Sequence, residues 1–157
     1  MSKVLIIVGS RTDIPIAQKA ISILKEFDVT HDVRIASAHR APTVLRELVV
    51  KSDADVFIGI AGMSAALPGV IASLTTKPVI GVPVSGKMTL DAILSIVQMP
   101  SGIPTACVGL DRGDNAALLA IEILGISNKN LQKQLQMYRD KMIEKAIKDS
   151  KIISEIS

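Results

Sequence analysis

Residues 4–15, with the sequence VLIIVGSRTDIP, join an apolar run to a glycine turn and the start of a helix. The run Val4–Val8 is apolar at every position. A strand with one face in solvent alternates apolar and polar residues, so this uninterrupted run predicts a strand buried on both faces of a parallel sheet. Pro15 follows the turn, and proline is favoured in the first turn of a helix. This stretch therefore predicts the strand–turn–helix unit of an α/β protein.

The same unit recurs along the chain. Further strands are predicted at Val33–Ser37, Asp55–Ile60, Pro78–Val84 and Pro104–Leu110. The spacing of apolar residues predicts helices at Ile14–Phe27, Pro42–Lys51, Ser64–Leu74, Leu90–Val97 and Asn115–Leu124. The predicted fold class is α/β, with a doubly wound, five-stranded parallel sheet between two layers of helices. In such sheets ligands bind outside the carboxyl ends of the strands.

The amino-acid composition excludes some classes of function. Of the 157 residues, 48% are hydrophobic and 21% charged, which is typical of a globular domain. Aromatic residues make up only 2%, so the chain lacks the stacking platforms of single-stranded nucleic-acid binders. The net charge of +3 arises entirely after residue 126, because residues 1–126 carry 11 basic and 11 acidic side chains and residues 127–157 carry 7 and 4. We expect no nucleic-acid partner.

The chain shows no sign of export or membrane insertion. Its single cysteine, Cys107, cannot form an internal disulfide and stands in an apolar run, as a small core residue would. The N-terminal apolar run is too short for a signal peptide, and no run approaches the length of a membrane span. We expect a cytoplasmic protein with no membrane partner.

The C-terminal segment differs from the rest. Apolar side chains recur there at helical spacing, at Leu131, Leu135, Tyr138, Met142 and Ala146. This pattern predicts an amphipathic helix whose apolar stripe packs either on its own domain or on a neighbouring subunit. We therefore divide the chain into a main domain, residues 1–126, and a helical extension, residues 127–157, which we expect to take part in oligomer contacts. The last ten residues are predicted to fray.

The turn after the first strand offers donors for an anion. It contains Ser10, Thr12 and Asp13 directly before a helix, where backbone amides carry a partial positive charge. Hydroxyl groups would add donors to a phosphate, and a carboxylate can accept from ribose hydroxyls. The alternative is structural, since Thr12 or Asp13 could simply cap the helix.

The loop after the second strand, Ser37-Ala38-His39-Arg40-Ala41-Pro42, brings a hydroxyl, an imidazole and a guanidinium together. Arginine presents a planar fork to phosphate oxygens, and histidine suits proton transfer near neutral pH. His31, before the strand, is predicted to be a surface residue. The sharpest interpretation is a site for a ligand of mononucleotide size.

The third strand ends in a run of small residues, from Gly59 to Gly69, that leads into a helix. Small side chains let a ligand approach the backbone, although tight packing of a helix on a strand favours the same residues. No acidic or Cys/His cluster along these loops indicates a metal site.

Together these loops carry a family resemblance. The segments that carry it are Gly9-Ser10-x-x-Asp13-x-Pro15, Ser37-Ala38-His39-Arg40-x-Pro42, Ala61-Gly62 through Leu67-Pro68-Gly69, Gly81-Val82-Pro83-Val84, Ser95 to Pro100 and Asn115 to Ala120. In this order they resemble the PurE family of purine biosynthesis. The resemblance implies a flavodoxin-like fold, a homo-octamer, and no metal or organic cofactor. It also implies a small-molecule substrate, an aminoimidazole ribonucleotide, whose carboxylate moves from the exocyclic nitrogen to ring carbon C4, with CO2 as a transient intermediate.

The resemblance also implies residue roles. His39 would be the general acid/base. Ser10 and Arg40 would bind the 5′-phosphate with the support of Ser37, and Asp13 would bind the ribose hydroxyls. The segment from Gly62 through Ser64 to Leu67 would line the base and the carboxylate.

One position departs from the bacterial mutases of the family, which carry a second histidine where this chain has Ala66. Direct carboxylation of aminoimidazole ribonucleotide with CO2 is therefore the alternative reaction. A related enzyme acting on another nucleotide is disfavoured, since such proteins are longer and lack several of these segments. The distant alternative is a non-catalytic flavodoxin-like nucleotide-binding module, although the chain lacks the aspartates of a receiver and the aromatics of a flavin carrier.

Overall fold

A computed structural model describes residues 3–156, and their side chains as far as Ile152. One parallel sheet contains five strands: β1 (Lys3–Val8), β2 (Thr30–Ile35), β3 (Val56–Ala61), β4 (Val79–Pro83) and β5 (Ala106–Cys107). Their order across the sheet is β2-β1-β3-β4-β5. The prediction of an open, doubly wound α/β fold is confirmed.

The described residues form six α-helices, of which the first five alternate with the strands and the sixth follows the fifth. They are α1 (Ile14–Glu26), α2 (Pro42–Val50), α3 (Leu67–Leu74), α4 (Thr89–Val97), α5 (Gly113–Gly125) and α6 (Lys129–Ile156). A short 3-10 turn, Arg11–Asp13, precedes α1. Prolines stand in the first turns of α1, α2 and α3, as the sequence predicts, because a proline there costs no backbone hydrogen bond.

The apolar strands form the core. Every residue of β3 and β4 is buried, and so is β1 after Lys3. On one face of the sheet a single cluster of buried side chains joins strands to helices α2, α3 and α4; its largest members include Leu5, Ile7, Phe57, Leu45, Leu67, Ile71 and Ile96. Burial on both sides explains why these strands show no alternation of apolar and polar residues.

Two strands differ from the prediction. Strand β2 begins at Thr30, three residues before the predicted start at Val33, and it is half-exposed because it lies at the edge of the sheet. Strand β5 pairs only over Ala106–Cys107, although the apolar run suggests a strand from Pro104 to Leu110.

The chain forms two compact units, one through Ile121 and one from Glu122 onward. In the second unit the predicted amphipathic helix is present as α6, and the end that was predicted to fray is helical through Ile156. Arg139 of α6 pairs with Glu122 at 2.5 Å, and Tyr138, the only tyrosine, lies half-buried on the same helix. None of the helices within residues 3–156 has the length and apolar character needed to cross a membrane.

Candidate active site

The carboxyl ends of β1, β2 and β3 lie side by side and open into a cavity of about 610 Å³. All eight residues proposed from the sequence line it: Ser10, Asp13, Ser37, His39, Arg40, Gly62, Ser64 and Leu67. Between β1 and β3 the chain order of the strands reverses, and this is where α/β sheets bind their ligands. The fold thus gathers three loops that are distant in sequence.

The loop after β1 is held by the carboxylate of Asp13. Its Oδ2 accepts hydrogen bonds from the backbone N–H of Ser10 at 3.0 Å and from the Ser10 hydroxyl at 3.1 Å. Asp13 is 6% exposed and is the one buried charged residue among those described. The capping alternative is therefore met only in part: the Asp13 carboxylate completes a capping box with Ser10 at the start of the 3-10 turn, whereas its side chain makes no capping hydrogen bond to α1.

Thr12 lines the same cavity, as expected of a hydroxyl in a turn predicted to hold an anion, although the residue roles that the family resemblance implies do not include it. Its hydroxyl lies 2.5 Å from the hydroxyl of Ser10 and 3.3 Å from Oδ1 of Asp13. The sequence indicates this proximity of the two hydroxyls, because Ser10 and Thr12 are separated by one residue in a tight turn. Two adjacent hydroxyls and a carboxylate can serve a ligand rich in oxygen atoms.

The loop after β2 orients Arg40. The Ser37 hydroxyl accepts from the Arg40 backbone N–H at 3.2 Å and from its Nε at 3.3 Å, and Nη2 donates to the carbonyl of Gly9 at 3.3 Å. Arg40 is exposed and has no carboxylate partner in the described part of the chain. Its charge is therefore available to an anion in the cavity.

His39 precedes Arg40 and is exposed at the cavity wall. No described group hydrogen-bonds its ring, so both ring nitrogens are open to a ligand. The other histidine, His31, lies in β2 away from the cavity lining, with Nδ1 2.9 Å from the carbonyl oxygen of Val29. The prediction that His31 is a surface residue is only partly met, because its side chain is half-buried.

The loop after β3 has unusual backbone geometry. Met63 has φ 55° and Ala65 has φ 27°, in the left-handed region that disfavours side chains. The Ala65 N–H donates to the carbonyl of Gly62 at 3.0 Å and closes the turn. These conformations are why α3 begins at Leu67 and not at the predicted Ser64, since a left-handed residue cannot continue an α-helix.

Groups of three or more metal-ligating side chains are absent from the described residues. Cys107 is half-buried in β5 and does not line the cavity, and burial raises the pKa of its thiol, which disfavours the reactive thiolate. The chemistry that the wall offers is therefore binding of an anion by Arg40 and hydroxyls, with an imidazole beside it.

The sheet order and the cavity at its switch point define a flavodoxin-like α/β protein. The family model described as AIR carboxylase matches residues 3–145, and the chain belongs to this family. It is 57% identical over 152 residues to N5-carboxyaminoimidazole ribonucleotide mutase of Methanocaldococcus jannaschii, covering 96% of this chain and 97% of that one. The mutase of Pyrococcus abyssi is 47% identical over 147 residues, covering 90% and 84%.

A solved structure agrees in fold. The crystal structure of Treponema denticola PurE superimposes with a TM-score of 0.85 at 32% sequence identity, covering 96% of this chain and 98% of that one.

Proposed function

We propose that the chain is an N5-carboxyaminoimidazole ribonucleotide mutase of de novo purine biosynthesis, the route to IMP. The enzyme moves the carboxylate of its substrate from the exocyclic nitrogen to ring carbon C4. The observation that carries the proposal is that one cavity holds both the open imidazole of His39 and the guanidinium of Arg40, which has no carboxylate partner among the described residues. Family membership and the 57% identity to a named mutase support it.

The loops after β1 and β2 bind the ribose phosphate. Arg40 and the Ser10 hydroxyl donate to the 5′-phosphate, and Ser37 holds the guanidinium in place through its hydroxyl. Asp13 accepts from the ribose hydroxyls through Oδ1, because Oδ2 is engaged by the backbone N–H of Ser10 even when the Ser10 hydroxyl turns to the phosphate. Charge-assisted hydrogen bonds of this kind are short and strong, and they fix the nucleotide before reaction.

His39 moves the protons. In the first step the bond between the exocyclic nitrogen and the carboxyl carbon breaks, CO2 leaves, and the imidazolium of His39 protonates that nitrogen. In the second step C4 attacks CO2, and the neutral imidazole takes the proton that C4 loses. One proton is given and one is recovered, so the enzyme returns to its starting state.

The loop after β3 holds the reacting end of the nucleotide. Gly62, Ser64 and Leu67 line the base and the carboxylate, and the apolar side chain of Ala66 lies in the same wall. CO2 carries no charge, so an apolar wall holds it without competing hydrogen bonds. With a single imidazole in the cavity, His39 serves both steps.

The second candidate is direct carboxylation of aminoimidazole ribonucleotide with CO2. It is favoured by Ala66, because a reaction that starts from dissolved CO2 has only the C4 proton to remove. The deciding experiment offers purified protein each substrate: the N5-carboxylated ribonucleotide without bicarbonate, and the uncarboxylated one with it. Turnover of the first alone supports the mutase, turnover of the second alone supports the carboxylase, and turnover of neither leaves a binding module.

We further propose a homo-octamer in the cytoplasm. The division into a catalytic domain, residues 1–126, and a helical extension, residues 127–157, assigns oligomer contacts to α6. Support comes from large apolar side chains that α6 leaves exposed, among them Met142, Ile143, Ile147 and Ile152. A reducing compartment suits the lone Cys107.

A further inference from the structure

Met63 combines two unfavourable features at the edge of the cavity. Its backbone lies in the left-handed region, with φ 55°, and its side chain is 75% exposed. A glycine would adopt the same turn without strain, and a polar side chain would tolerate the exposure. Within the described residues of the single chain, no packing contact explains a methionine at this position.

The other left-handed residues have visible reasons. Asp28 is an aspartate, which tolerates this region better than apolar residues do, and Asp111 also uses its carboxylate to accept from the Ser85 N–H at 2.8 Å. Ala65 is small and is packed in the core at 2% exposure. Met63 has neither a short polar side chain nor a packing contact of that kind. Strain without a structural reason is typical of functional sites.

The surroundings of Met63 indicate what its side chain contacts. It lines the cavity together with Ala61, Ala65, Ala66 and Leu67, so this wall is mostly apolar with Ser64 as its one hydroxyl, whereas Arg40 and the other hydroxyls lie on the loops after β1 and β2. A methionine side chain is long, flexible and polarisable, and it adapts to the surface of a flat ring.

We propose that Met63 is a positioning residue that closes the cavity over the reacting end of the nucleotide and retains CO2 between the two steps. The inference rests on the proposed function. When the ribonucleotide is bound, the thioether packs on the imidazole ring and removes Met63 from water. Between cleavage of the nitrogen–carbon bond and formation of the bond to C4, the covered wall prevents escape of CO2 to solvent.

The test follows the carboxyl carbon. Substrate labelled with ¹³C in the carboxylate is converted in a large excess of unlabelled bicarbonate with carbonic anhydrase present, and mass spectrometry measures the label that remains in the product. We expect the parent enzyme to keep most of the label. Met63→Gly and Met63→Gln should lose label about threefold to tenfold more readily, whereas Met63→Leu, which keeps an apolar cover, should resemble the parent enzyme.

Asp28→Gly is the matched control. It relieves the same backbone conformation, at φ 54°, at a position outside the cavity lining. It should leave label retention unchanged, which excludes a general effect of a glycine at a left-handed position. Loss in Met63→Gln as well as in Met63→Gly assigns the effect to the apolar side chain and not to relaxed backbone at position 63.

Three results would overturn the inference. The Gly and Gln variants could retain label as the parent enzyme does. Met63→Leu could lose as much label as Met63→Gly. The variants could change the oligomer mass in light scattering with label retention unaltered, which would make Met63 a contact between copies. Failure of the parent enzyme to convert the substrate is a different result, because it defeats the proposed function itself.

Discussion

His39 is the residue on which the proposed chemistry depends. His39→Asn keeps a polar side chain of similar size but cannot exchange a proton near neutral pH. We expect the rate of interconversion to fall by about 10²–10⁴, the usual contribution of a general acid/base. Nucleotide affinity, measured by calorimetry, should remain close to that of the parent enzyme.

The second histidine supplies a control for that experiment. His31 lies outside the cavity lining, so His31→Asn should leave turnover unchanged. Near-normal turnover of His39→Asn would assign the proton transfers to another group, and Lys87, on the exposed loop after β4, would be examined first.

Arg40 should act mainly through binding. Its guanidinium is held by hydrogen bonds to Ser37 and Gly9, and in the proposed complex it contacts the 5′-phosphate and not the reacting carbon. A hydrogen bond to a charged group contributes about 1.5–3 kcal/mol, so Arg40→Ala should raise KM roughly tenfold to a hundredfold with a smaller effect on kcat. Arg40→Lys should recover part of the loss, since it restores the charge without the fork.

Arg46, exposed on α2 outside the cavity lining, is the matched arginine. Steady-state kinetics of Arg46→Ala should be normal. An unchanged KM in Arg40→Ala would contradict the phosphate role.

At the scale of single residues, the sequence predicted positions in the cavity better than conformations. Strand ends of a parallel sheet lie at one edge, which suffices to bring Ser10, His39 and Gly62 together. The left-handed backbone of Met63 could not be predicted in this way, because methionine is a poor indicator of that conformation. For Thr12 the two predicted roles, phosphate donor and helix cap, stayed open, since a hydroxyl in such a turn has the same sequence signature in both.

At the scale of elements, prediction succeeded where burial was complete. Strands β1, β3 and β4 are covered on both faces, and their apolar runs marked them within a residue or two. The start of β2 was predicted three residues too late because Thr30 and His31 resemble turn residues in sequence, whereas an edge strand tolerates polar residues. The start of α3 was missed because backbone strain before Leu67 overrides helix propensity.

The start of α5 makes the closest backbone approach. A methyl group on Gly113 would lie 2.1 Å from the carbonyl oxygen of Ile16 in α1. Alanine is the better helix former by about 1 kcal/mol, but a collision with backbone cannot be relieved by a side-chain rotation. We expect Gly113→Ala to lower the free energy of unfolding by about 1–3 kcal/mol in urea denaturation followed by circular dichroism.

Gly86 provides the comparison, because a methyl group there would meet nothing within 4 Å. Gly86→Ala should be close to neutral in the same experiment. Equal stability of the Gly113 variant and the parent would mean that α1 and α5 can move apart at little cost.

For the whole molecule, the doubly wound parallel sheet was predicted from alternating strands and helices, and the flavodoxin-like fold from the family resemblance. The oligomeric assembly could not be predicted in the same way, because the surfaces that meet in an oligomer are those that a single chain leaves exposed. The proposal that α6 serves this role rests on its exposed apolar side chains.

Removal of residues 128–157 should lower the mass of the particle in light scattering, because it removes those side chains. Ile143→Lys combined with Ile147→Lys should do the same while keeping the helix, since buried lysines oppose association. An unchanged mass for both variants would contradict the assignment of α6 to oligomer contacts.

Tyr138 makes α6 observable by intrinsic fluorescence. The chain has no tryptophan and only this tyrosine, so ultraviolet-excited emission from the protein arises from one helix. The strands and the cavity carry no comparable fluorophore within the described residues. Changes in the intensity or anisotropy of this emission therefore report on the environment of α6 alone, and no engineered probe is needed to follow it during dilution or substrate turnover.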